Sequence, residues 1–492
     1  MYQAGISAMT EKISDAQHRD SFKSGGHDLK MAGNTNGYNG SGSVNFSQEK
    51  RRFPRFDYSG PVQVNDQDHG CVRNLSTTGI NFILNGDVLS RSMNISIQSS
   101  QGDPITGDVE ITRILERADS REKVIGARFT KISDEAKTHI RLEFVRSKMN
   151  SFFHETRDAV LDSKIKRFFL SDVFQHVSEL TQLSEEIAAR HITAYSDEGY
   201  KRFSASVDHI LDEGKVLEKS IDQKIVVNKL KDAFREIIAH WIYQGEIVKR
   251  AFEQPRGYPG DYFTLEKIYD NQPRSQAIGF YSDRYFLDNE YAVAVRGRKT
   301  KIQEILDDAI THSDYDKVNI LDIACGPSRE VRELLIKNKY GDKKICLNLL
   351  DHDEEALSFS DKNLPHLKNV SYRFIKENVL ELGKSKEWKN ELRDQDIIYS
   401  IGLADYLPDR VLKKMIEFCS SILREDGRFI LTHKDIEQCD PAAPDWFCRW
   451  KFHPRTEKEV IVLVESSAEK GVNVADVQRE ESGRVIFVIA KK

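Results

Sequence analysis

The stretch NILDIACGPSRE, residues 319–330, decides the fold of the C-terminal half. It places a short apolar run ahead of an acid, Asp322, and a turn of small residues, and a helical pattern follows at once. A strand that ends in a tight turn and continues into a helix is the repeating unit of a doubly wound sheet. Ligands of such sheets bind beyond the carboxyl ends of the strands, so Asp322 marks a candidate ligand site.

The remainder of the C-terminal half repeats this alternation. Strand-like and helix-like segments follow one another to the end of the chain, among them KICLNLLD, SYRFIKENV, DIIYSIG, GRFILTH and RVIFVIA. This order predicts a parallel, doubly wound α/β domain over residues 291–492. Upstream, apolar residues recur at three- and four-residue steps, which predicts a helical linker or cap domain over residues 150–290. Two prolines and two glycines in QPRGYPGDYF (254–263) interrupt those helices.

The N-terminal part has a different sequence pattern. Residues 49–145 contain short alternating stretches (PVQVN, GINFIL, MNISIQ, DVEITRIL, VIGARF) between turn residues, which predicts a small antiparallel β domain. Residues 1–48 are rich in Gly, Ser and Asn and poor in large apolar residues. Such a segment buries too little surface to offset its ordering entropy, so we expect a disordered arm.

Composition narrows the function classes. The 492 residues carry a formal net charge of −5, which does not indicate a nucleic-acid partner. No apolar run approaches the ~18 residues of a membrane-spanning helix. The six cysteines show neither metal-ligand spacing nor a disulfide rhythm, and the first residues lack the layout of a secretory signal. We therefore expect a cytoplasmic protein without a metal site.

Polar residues mark the ends of the first four strands of the predicted sheet. Asp322 and Gly326 follow the first, Asp351 the second, Asn378 the third, and Ser400 ends the fourth. Asp351 is placed to accept hydrogen bonds from ribose hydroxyls. A nicotinamide dinucleotide is the competing ligand, but its phosphates favour G-x-G-x-x-G, whereas this loop has one glycine and an acid that suits an ammonium group. A ligand with ribose, adenine and a free amino acid fits better, namely S-adenosylmethionine.

LDIACGPSRE resembles the first motif of class I methyltransferases, commonly a D-x-G-C-G-P-G run. The resemblance covers roughly residues 290–492 and implies S-adenosylmethionine bound by Asp322, Ala324, Gly326, Asp351, Asn378 and Ser400. Ala324 and Ser328 stand where glycines are usual. IACGPSRE together with RGYPGDY is also similar to bacterial proteins named for methyl esters of 3-hydroxy fatty acids. That similarity implies a small-molecule or lipid-like acceptor, with a fatty acid carboxylate as one candidate.

A general base is needed only if the acceptor must lose a proton. His433, at a strand end, is the candidate, with Asp405 and Tyr406 behind it, although a structural histidine is the alternative. A carboxylate acceptor would need no base. SIGLADYL (400–407) lacks an N-P-P-Y-like turn, which argues against methylation of base amino groups. Two stretches could close the site: residues 256–263 with 294–299, and the aromatic stretch 440–459.

The β domain carries two spaced motifs. Arg51 and Arg55 form R-x-x-x-R, and Asn74, Ser76 and Gly79 form N-x-S-x-x-G. In this order the motifs resemble a PilZ domain over residues 49–145, which implies binding of cyclic di-GMP, with Arg52 adding charge. Arginine suits this ligand because it binds phosphates bidentately and stacks on guanine faces.

The sequence thus predicts a methyltransferase that responds to cyclic di-GMP. Three alternatives stay open. The first is a non-catalytic effector whose C-terminal domain is a scaffold, and the second is an enzyme that methylates proteins. The third concerns assembly, since arginines around a stacked dinucleotide pair could bring two chains together as a homodimer.

Overall fold

The computed structural model describes residues 53–65, 68–85, 88, 90–100, 102–116, 121–153, 159–189, 196–337 and 340–492. The predicted arm at 1–48 and the candidate residues Arg51 and Arg52 lie outside these ranges. The chain divides into two compact units, Met1–Phe144 and Val145–Lys492. The helical region and the α/β region, which the sequence suggested as separate domains, belong to one of these units. Within the described residues, no helix has the length and apolarity to cross a membrane.

The first unit contains a closed antiparallel barrel with the strand order β1-β2-β3-β6-β5-β4. Its strands are β1 (Phe56–Val64), β2 (Asp68–Ser76), β3 (Gly79–Asn85), β4 (Ser92–Ile97), β5 (Ile105–Glu116) and β6 (Glu122–Ile132). Pairing of β1 with β4 closes the barrel. Alternate residues point inward, so Val62, Val64, Ile95 and Ile97 are fully buried along that closing pair. Helix α1 (Asp134–Phe153) follows β6.

Helices fill the first part of the second unit. They are α2 (Ala159–Arg167), α3 (Phe174–Ala189), α4 (Asp197–Lys219), α5 (Lys224–Ile242), α6 (Glu246–Glu253), α7 (Tyr262–Asp270), α8 (Ile278–Asp288) and α9 (Glu290–Thr311). A π-helical turn, Phe168–Val173, joins α2 to α3. Apolar side chains at helical spacing form the core, and Trp241, Phe234 and Phe203 are fully buried.

A seven-stranded sheet forms the rest of the second unit, in the order β12-β13-β11-β10-β7-β8-β9. The strands are β7 (Lys317–Ile323), β8 (Lys344–Asp351), β9 (Val370–Lys376), β10 (Gln395–Ser400), β11 (Leu423–Lys434), β12 (Asn473–Arg479) and β13 (Val485–Lys491). The connecting helices are α10 (Arg329–Ile336), α11 (Glu354–Asn363), α12 (Val379–Leu382), α13 (Lys386–Glu391), α14 (Asp409–Ser421), α15 (Ala442–Cys448) and α16 (Glu457–Ser467).

The predicted parallel, doubly wound sheet is confirmed for its first five strands, which pair in parallel. The central strand β10, QDIIYS, is buried at every position, as helices on both faces of a parallel sheet require. The last two strands differ from the expectation because β13 runs antiparallel to both β11 and β12. The carboxyl ends of β9, β8, β7, β10 and β11 consequently share one edge of the sheet.

Candidate functional sites

The turn after β7 has an unusual backbone. Ala324, Gly326 and Ser328 all adopt left-handed conformations, with φ of 58°, 54° and 47°. A left-handed residue other than glycine costs roughly 1–2 kcal/mol, so the two non-glycine residues make this a strained turn. Glycines are usual at these positions because they adopt the same angles without strain.

Asp322 ends β7 inside the protein. It is fully buried, and neither carboxyl oxygen has a hydrogen-bond partner among the described residues. Burial raises the pKa of Asp322 well above its ordinary value, and the nearby carboxyl of Glu330 raises it further. Glu330 itself accepts a hydrogen bond from the Tyr399 hydroxyl at 3.1 Å. The Tyr399 hydroxyl lies near enough to lower the Asp322 pKa and is the nearby donor among the described residues, so a further donor to the two oxygens of Asp322 would have to come from a ligand.

Asp351 connects the second strand end to the first. Its Oδ2 accepts a hydrogen bond from the backbone N–H of Gly326 at 2.9 Å, and its Oδ1 accepts one from the N–H of Asp353 at 2.9 Å. The side chain is buried beneath the turn. Asp353 caps α11 by accepting a hydrogen bond from the N–H of Glu355 at 3.0 Å.

The other two predicted cofactor residues have different surroundings. Ser400 is fully buried, and its hydroxyl donates to the carbonyl oxygen of Ile323 at 3.1 Å, which ties the ends of β10 and β7 together. Asn378 lies exposed after β9. The structure thus brings Asp322, Asp351 and Ser400 onto adjacent strand ends, with Asn378 one strand further along the same edge.

The segment 256–263 covers this edge, as the sequence suggested. Arg256 donates from Nε to Asp353 at 2.9 Å and from Nη1 to Glu355 at 2.6 Å. Farther along the segment, Gly260 lies so close to Trp450 that a β-carbon would be 2.8 Å from the indole ring. The segment therefore extends from the carboxyl end of β8 to the aromatic stretch that follows β11.

His433, the predicted base, has both ring nitrogens engaged. Its Nδ1 lies 2.7 Å from the carbonyl oxygen of Lys434, and its Nε2 lies 3.0 Å from Nη1 of Arg455. The ring is 1% exposed, and burial lowers its pKa. This geometry opposes the predicted role, because a base needs a nitrogen that can reach the acceptor.

Asp405 and Tyr406, the two residues predicted to support His433, also form hydrogen bonds with neighbouring residues. Asp405 accepts from the ammonium of Lys434 at 2.6 Å and from the N–H of Lys434 at 2.9 Å. Burial acts to raise the pKa of Asp405, but Lys434 and His433 lower it to about 2. The hydroxyl of Tyr406 accepts from Trp450 Nε1 at 2.7 Å, and burial raises the Tyr406 pKa.

The aromatic stretch 440–459 separates into two parts. Trp446 and Phe447 are fully buried in the helical core, where the carbonyl oxygens of residues 445–447 accept hydrogen bonds from Arg235 and Tyr243. Trp450 and Phe452 instead line a small cavity of about 50 Å³. Thr456 and Glu459 form a capping box at the start of α16.

The cavity is mainly apolar. Its walls come from helices α6 to α9 and from the segment after β11, and they include Ile247, Val248, Ala251, Ile268, Phe286, Tyr291, Ala292, Val295, Trp450 and Phe452. Lys434, the last residue of β11, is the charged side chain among the described lining residues. Its ammonium lies 4.6 Å from the centre of the Phe452 ring, within range of a cation–π interaction. The cavity therefore adjoins the carboxyl end of β11, which lies at the same edge of the sheet as the candidate cofactor residues.

In the barrel, the predicted motif residues Ser76, Gly79 and Arg55 lie together at the β2–β3 turn. The hydroxyl of Ser76 donates to the carbonyl oxygen of Gly79 at 3.0 Å. A β-carbon at Gly79 would lie 2.6 Å from the carbonyl oxygen of Ala127 and 3.5 Å from Nη2 of Arg55, so only glycine fits between them. The sequence reasoning placed this motif in a turn and missed β2, because DHGCVRNLS does not alternate between apolar and polar residues.

Three buried oxygens near this turn have no hydrogen-bond partner among the described residues. They belong to Asn74, Thr77 and Asn81. Asn74 and Asn81 pair across β2 and β3, and Thr77 lies between Ser76 and Gly79. Sequence reasoning selected Asn74 alone of the three. Asn81 could have been found from its position opposite Asn74 in the strand pairing, but only if β2 had been recognised as a strand.

Two family models match parts of the chain. Residues 49–144 match the family model of the PilZ domain, and residues 256–364 match a family model described as "Putative methyltransferase". The chain carries a PilZ domain and a methyltransferase-family domain. No curated protein matches the chain. The finer similarity to proteins named for 3-hydroxy fatty acid methyl esters stays a prediction.

Three of the solved structures that have a distant likeness to this chain are described here by name. A protein from Bordetella parapertussis, described as a possible exported protein, is 14% identical, with 65% of this chain and 96% of that chain covered and a TM-score of 0.36. Magnesium protoporphyrin IX methyltransferase from Synechocystis, bound to S-adenosylhomocysteine, is 10% identical (50% and 98% covered, TM-score 0.34). The Bacillus subtilis inhibitor of motility is 18% identical (21% and 52% covered, TM-score 0.19). Likenesses this distant carry no argument about the activity of either domain.

Proposed function

We propose that the chain is a cytoplasmic, S-adenosylmethionine-dependent methyltransferase whose activity responds to cyclic di-GMP. The single observation that supports it most is Asp322, a fully buried carboxyl with two unpartnered oxygens at the carboxyl end of β7. The methyltransferase-family match includes this residue. S-adenosylmethionine carries an amino group and ribose hydroxyls, which are donors that Asp322 and Asp351 can accept from.

The residues present fit this cofactor. The left-handed turn from Ala324 to Ser328 leaves the backbone without large side chains, and Asp351 holds the turn in place through Gly326. We propose that Asp322, Ala324, Gly326, Asp351, Asn378 and Ser400 hold the cofactor. Bound there, it would supply an electrophilic methyl group, and the protein would mainly position the acceptor and exclude water.

The acceptor is proposed to be a small or lipid-like molecule. Among the described residues at the β10 and β11 ends, His433 and Asp405 are engaged by neighbours and do not offer a free base. Transfer to a group that is already anionic, such as a carboxylate, needs no base. The structure therefore favours that acceptor chemistry over a hydroxyl or an ammonium group, both of which must lose a proton.

We propose that the PilZ domain binds cyclic di-GMP at the β2–β3 turn. Asn74, Ser76, Gly79 and Arg55 supply the groups, and the unpartnered oxygens of Asn74, Thr77 and Asn81 suit the N–H donors of guanine. The response of the enzyme is a separate part of the proposal, because a ligand shifts an equilibrium only if it binds two states differently.

The test is a calorimetric titration of S-adenosylmethionine into the full chain, with and without saturating cyclic di-GMP. Cofactor binding whose affinity changes with the dinucleotide is the expected result. Binding that ignores the dinucleotide would leave an enzyme with an independent targeting domain. If the cofactor does not bind under either condition, the enzyme proposal fails and the scaffold alternative takes its place.

A further inference from the structure

The ammonium of Lys434 combines burial with unused hydrogen-bond donors. Lys434 ends β11, is 7% exposed, and lines the apolar cavity together with side chains of α6 to α9. Its ammonium donates to Asp405 at 2.6 Å, and among the described residues this is the one acceptor that it contacts. An ammonium carries three N–H donors, so Lys434 keeps donors for a further partner.

Aromatic rings surround this ammonium on the cavity side. It lies 4.6 Å from the centre of the Phe452 ring and 5.7 Å from that of Tyr291, and the two rings stack on each other at 5.2 Å. Trp450 continues the same wall, and its Nε1 is fixed by the hydrogen bond to Tyr406. Ring faces attract a cation and also bury hydrocarbon. The cation is therefore bordered by apolar surface, which suits a ligand that combines an anion with a hydrocarbon part.

The size of the cavity limits that hydrocarbon part. Its volume is about 50 Å³. A water-sized group needs roughly 10–15 Å³ of such space, so the cavity holds about three to five groups of this size. Val248 and Ala251 of α6 and Ala292 of α9 form part of the wall, and all three are buried. A long acyl chain cannot be enclosed here, whereas a chain of about five carbons can.

We propose that Lys434 and this cavity bind the methyl acceptor, an aliphatic carboxylate whose chain extends about five carbons beyond the carboxyl group. The inference rests on the proposed function and deepens it, because the cavity adjoins the same edge of the sheet as the candidate cofactor residues. One carboxylate oxygen accepts from the ammonium, and the other stays available. That oxygen forms the O–CH₃ bond while the S–CH₃ bond of the sulfonium donor breaks, and the electron pair of the broken bond stays on sulfur.

The experiment titrates straight-chain carboxylates, from acetate to octanoate, into the full chain and measures their affinities by calorimetry. Methyl hexanoate and 1-hexanol are the uncharged controls for hexanoate. We expect affinity to rise about fourfold for each added methylene up to hexanoate and then to level off. Hexanoate should bind on the order of 10- to 100-fold more tightly than methyl hexanoate, because the ester cannot pair with the ammonium of Lys434.

Two substitutions in the cavity wall should move the preferred chain length in opposite directions. Ala251→Val adds two carbon atoms to the wall and should favour butyrate over hexanoate. Val248→Ala removes two and should favour octanoate. The matched controls are Ala309→Val and Val226→Ala, which change buried residues outside the cavity wall and should keep the wild-type preference.

The role of Lys434 is tested in a double variant. Lys434→Met alone would leave the buried Asp405 without its cation, which is costly, so it is combined with Asp405→Asn. The double variant should bind hexanoate no more tightly than methyl hexanoate, and the ester should bind as it does to the wild type. Thermal unfolding shows whether the double variant is folded. If it is not, the comparison of acid with ester and the two cavity variants decide the question.

The outcomes separate this inference from the proposed function. Equal binding of hexanoate and its methyl ester overturns the inference, and so does a preferred chain length that neither cavity variant moves. Competition between hexanoate and S-adenosylhomocysteine also overturns it, because an acceptor and a cofactor must bind together. If S-adenosylhomocysteine binds and no carboxylate does, this inference alone fails. If S-adenosylhomocysteine does not bind the wild type, the proposed function fails, and the acceptor role of the cavity fails with it.

Discussion

Arg455 donates a hydrogen bond from Nη1 to Nε2 of His433 across 3.0 Å. A guanidinium has donors only, so Nε2 must be the acceptor and the ring proton must lie on Nδ1, which faces the carbonyl oxygen of Lys434. Arg455 also binds Asp409 and the carbonyl oxygens of residues 404 and 407. His433 is therefore one member of a buried network that holds the loop after β10.

From this relationship we expect His433→Gln to reduce stability more than turnover. The variant should lose about 1–3 kcal/mol of unfolding free energy, because it disturbs a buried bond to a charged group. Conversion of S-adenosylmethionine in the presence of cell extract should stay within about threefold of the wild type, since a proton transfer through a base contributes roughly 100-fold or more. Urea unfolding and S-adenosylhomocysteine formation measure the two effects. The exposed His366→Gln is the control, and a 100-fold slower variant of normal stability would restore the catalytic role.

Acid stability should depend on His176. This side chain is 2% exposed, its Nδ1 lies 2.7 Å from the hydroxyl of Ser206, and burial lowers its pKa to about 3. Because the folded pKa lies below the unfolded value of about 6.5, the unfolded chain binds the proton first. Stability should be complete above pH 6.5 and fall progressively toward pH 3, by an amount on the order of a few kcal/mol.

Replacing His176 with Phe should reduce this pH dependence without abolishing it, because His433, whose pKa burial also lowers, still takes up a proton on unfolding. Thermal unfolding between pH 4 and pH 7 measures the slope. His312→Asn, at an exposed position, should keep the slope of the wild type. An unchanged slope in His176→Phe would contradict the assignment.

The sequence predicted the ends of the parallel strands well because the information that defines them is local. Asp322 and Asp351 each end an apolar run, and chain order alone places the carboxyl ends of parallel strands together. Strands β2 and β12 were missed for a local reason too. DHGCVRNLS and NVADVQR show little alternation, and their pairing depends on neighbours that are distant in the chain.

Arg298 could not be assigned from the sequence. It was noted only as part of AVRGRK (294–299), where several basic residues look alike. Its environment arises from contact with Gly402, more than 100 positions away. The available signal was an arginine on the apolar face of α9, in register with Tyr291 and Val295. His433, in contrast, was given a catalytic role from the sequence that its surroundings oppose. Its partner Arg455 lies on a segment that no local sequence pattern connects to it.

Asp351→Asn should weaken S-adenosylmethionine on the order of 10- to 100-fold, because a neutral amide is a poorer acceptor for the ribose hydroxyls and for the Gly326 N–H. Calorimetric titration measures the affinity. Asp342→Asn, exposed between α10 and β8, removes the same charge elsewhere and should bind as the wild type does. Equal affinity in Asp351→Asn and the control would exclude Asp351 from the cofactor site.

Thr77→Val tests the ligand site of the PilZ domain through stability and affinity together. The Thr77 hydroxyl is buried without a described partner, so replacing it with a methyl group of similar size should leave barrel stability equal or higher. Cyclic di-GMP affinity should nevertheless fall about tenfold, since one ligand hydrogen bond is lost. Thr112→Val is the matched control, because its hydroxyl already donates to Gly126 at 2.9 Å on the exposed face of β5. That control should lose a little stability and keep full affinity. If Thr77→Val instead destabilises the barrel and binds the dinucleotide normally, the Thr77 hydroxyl is structural and the ligand does not reach this turn.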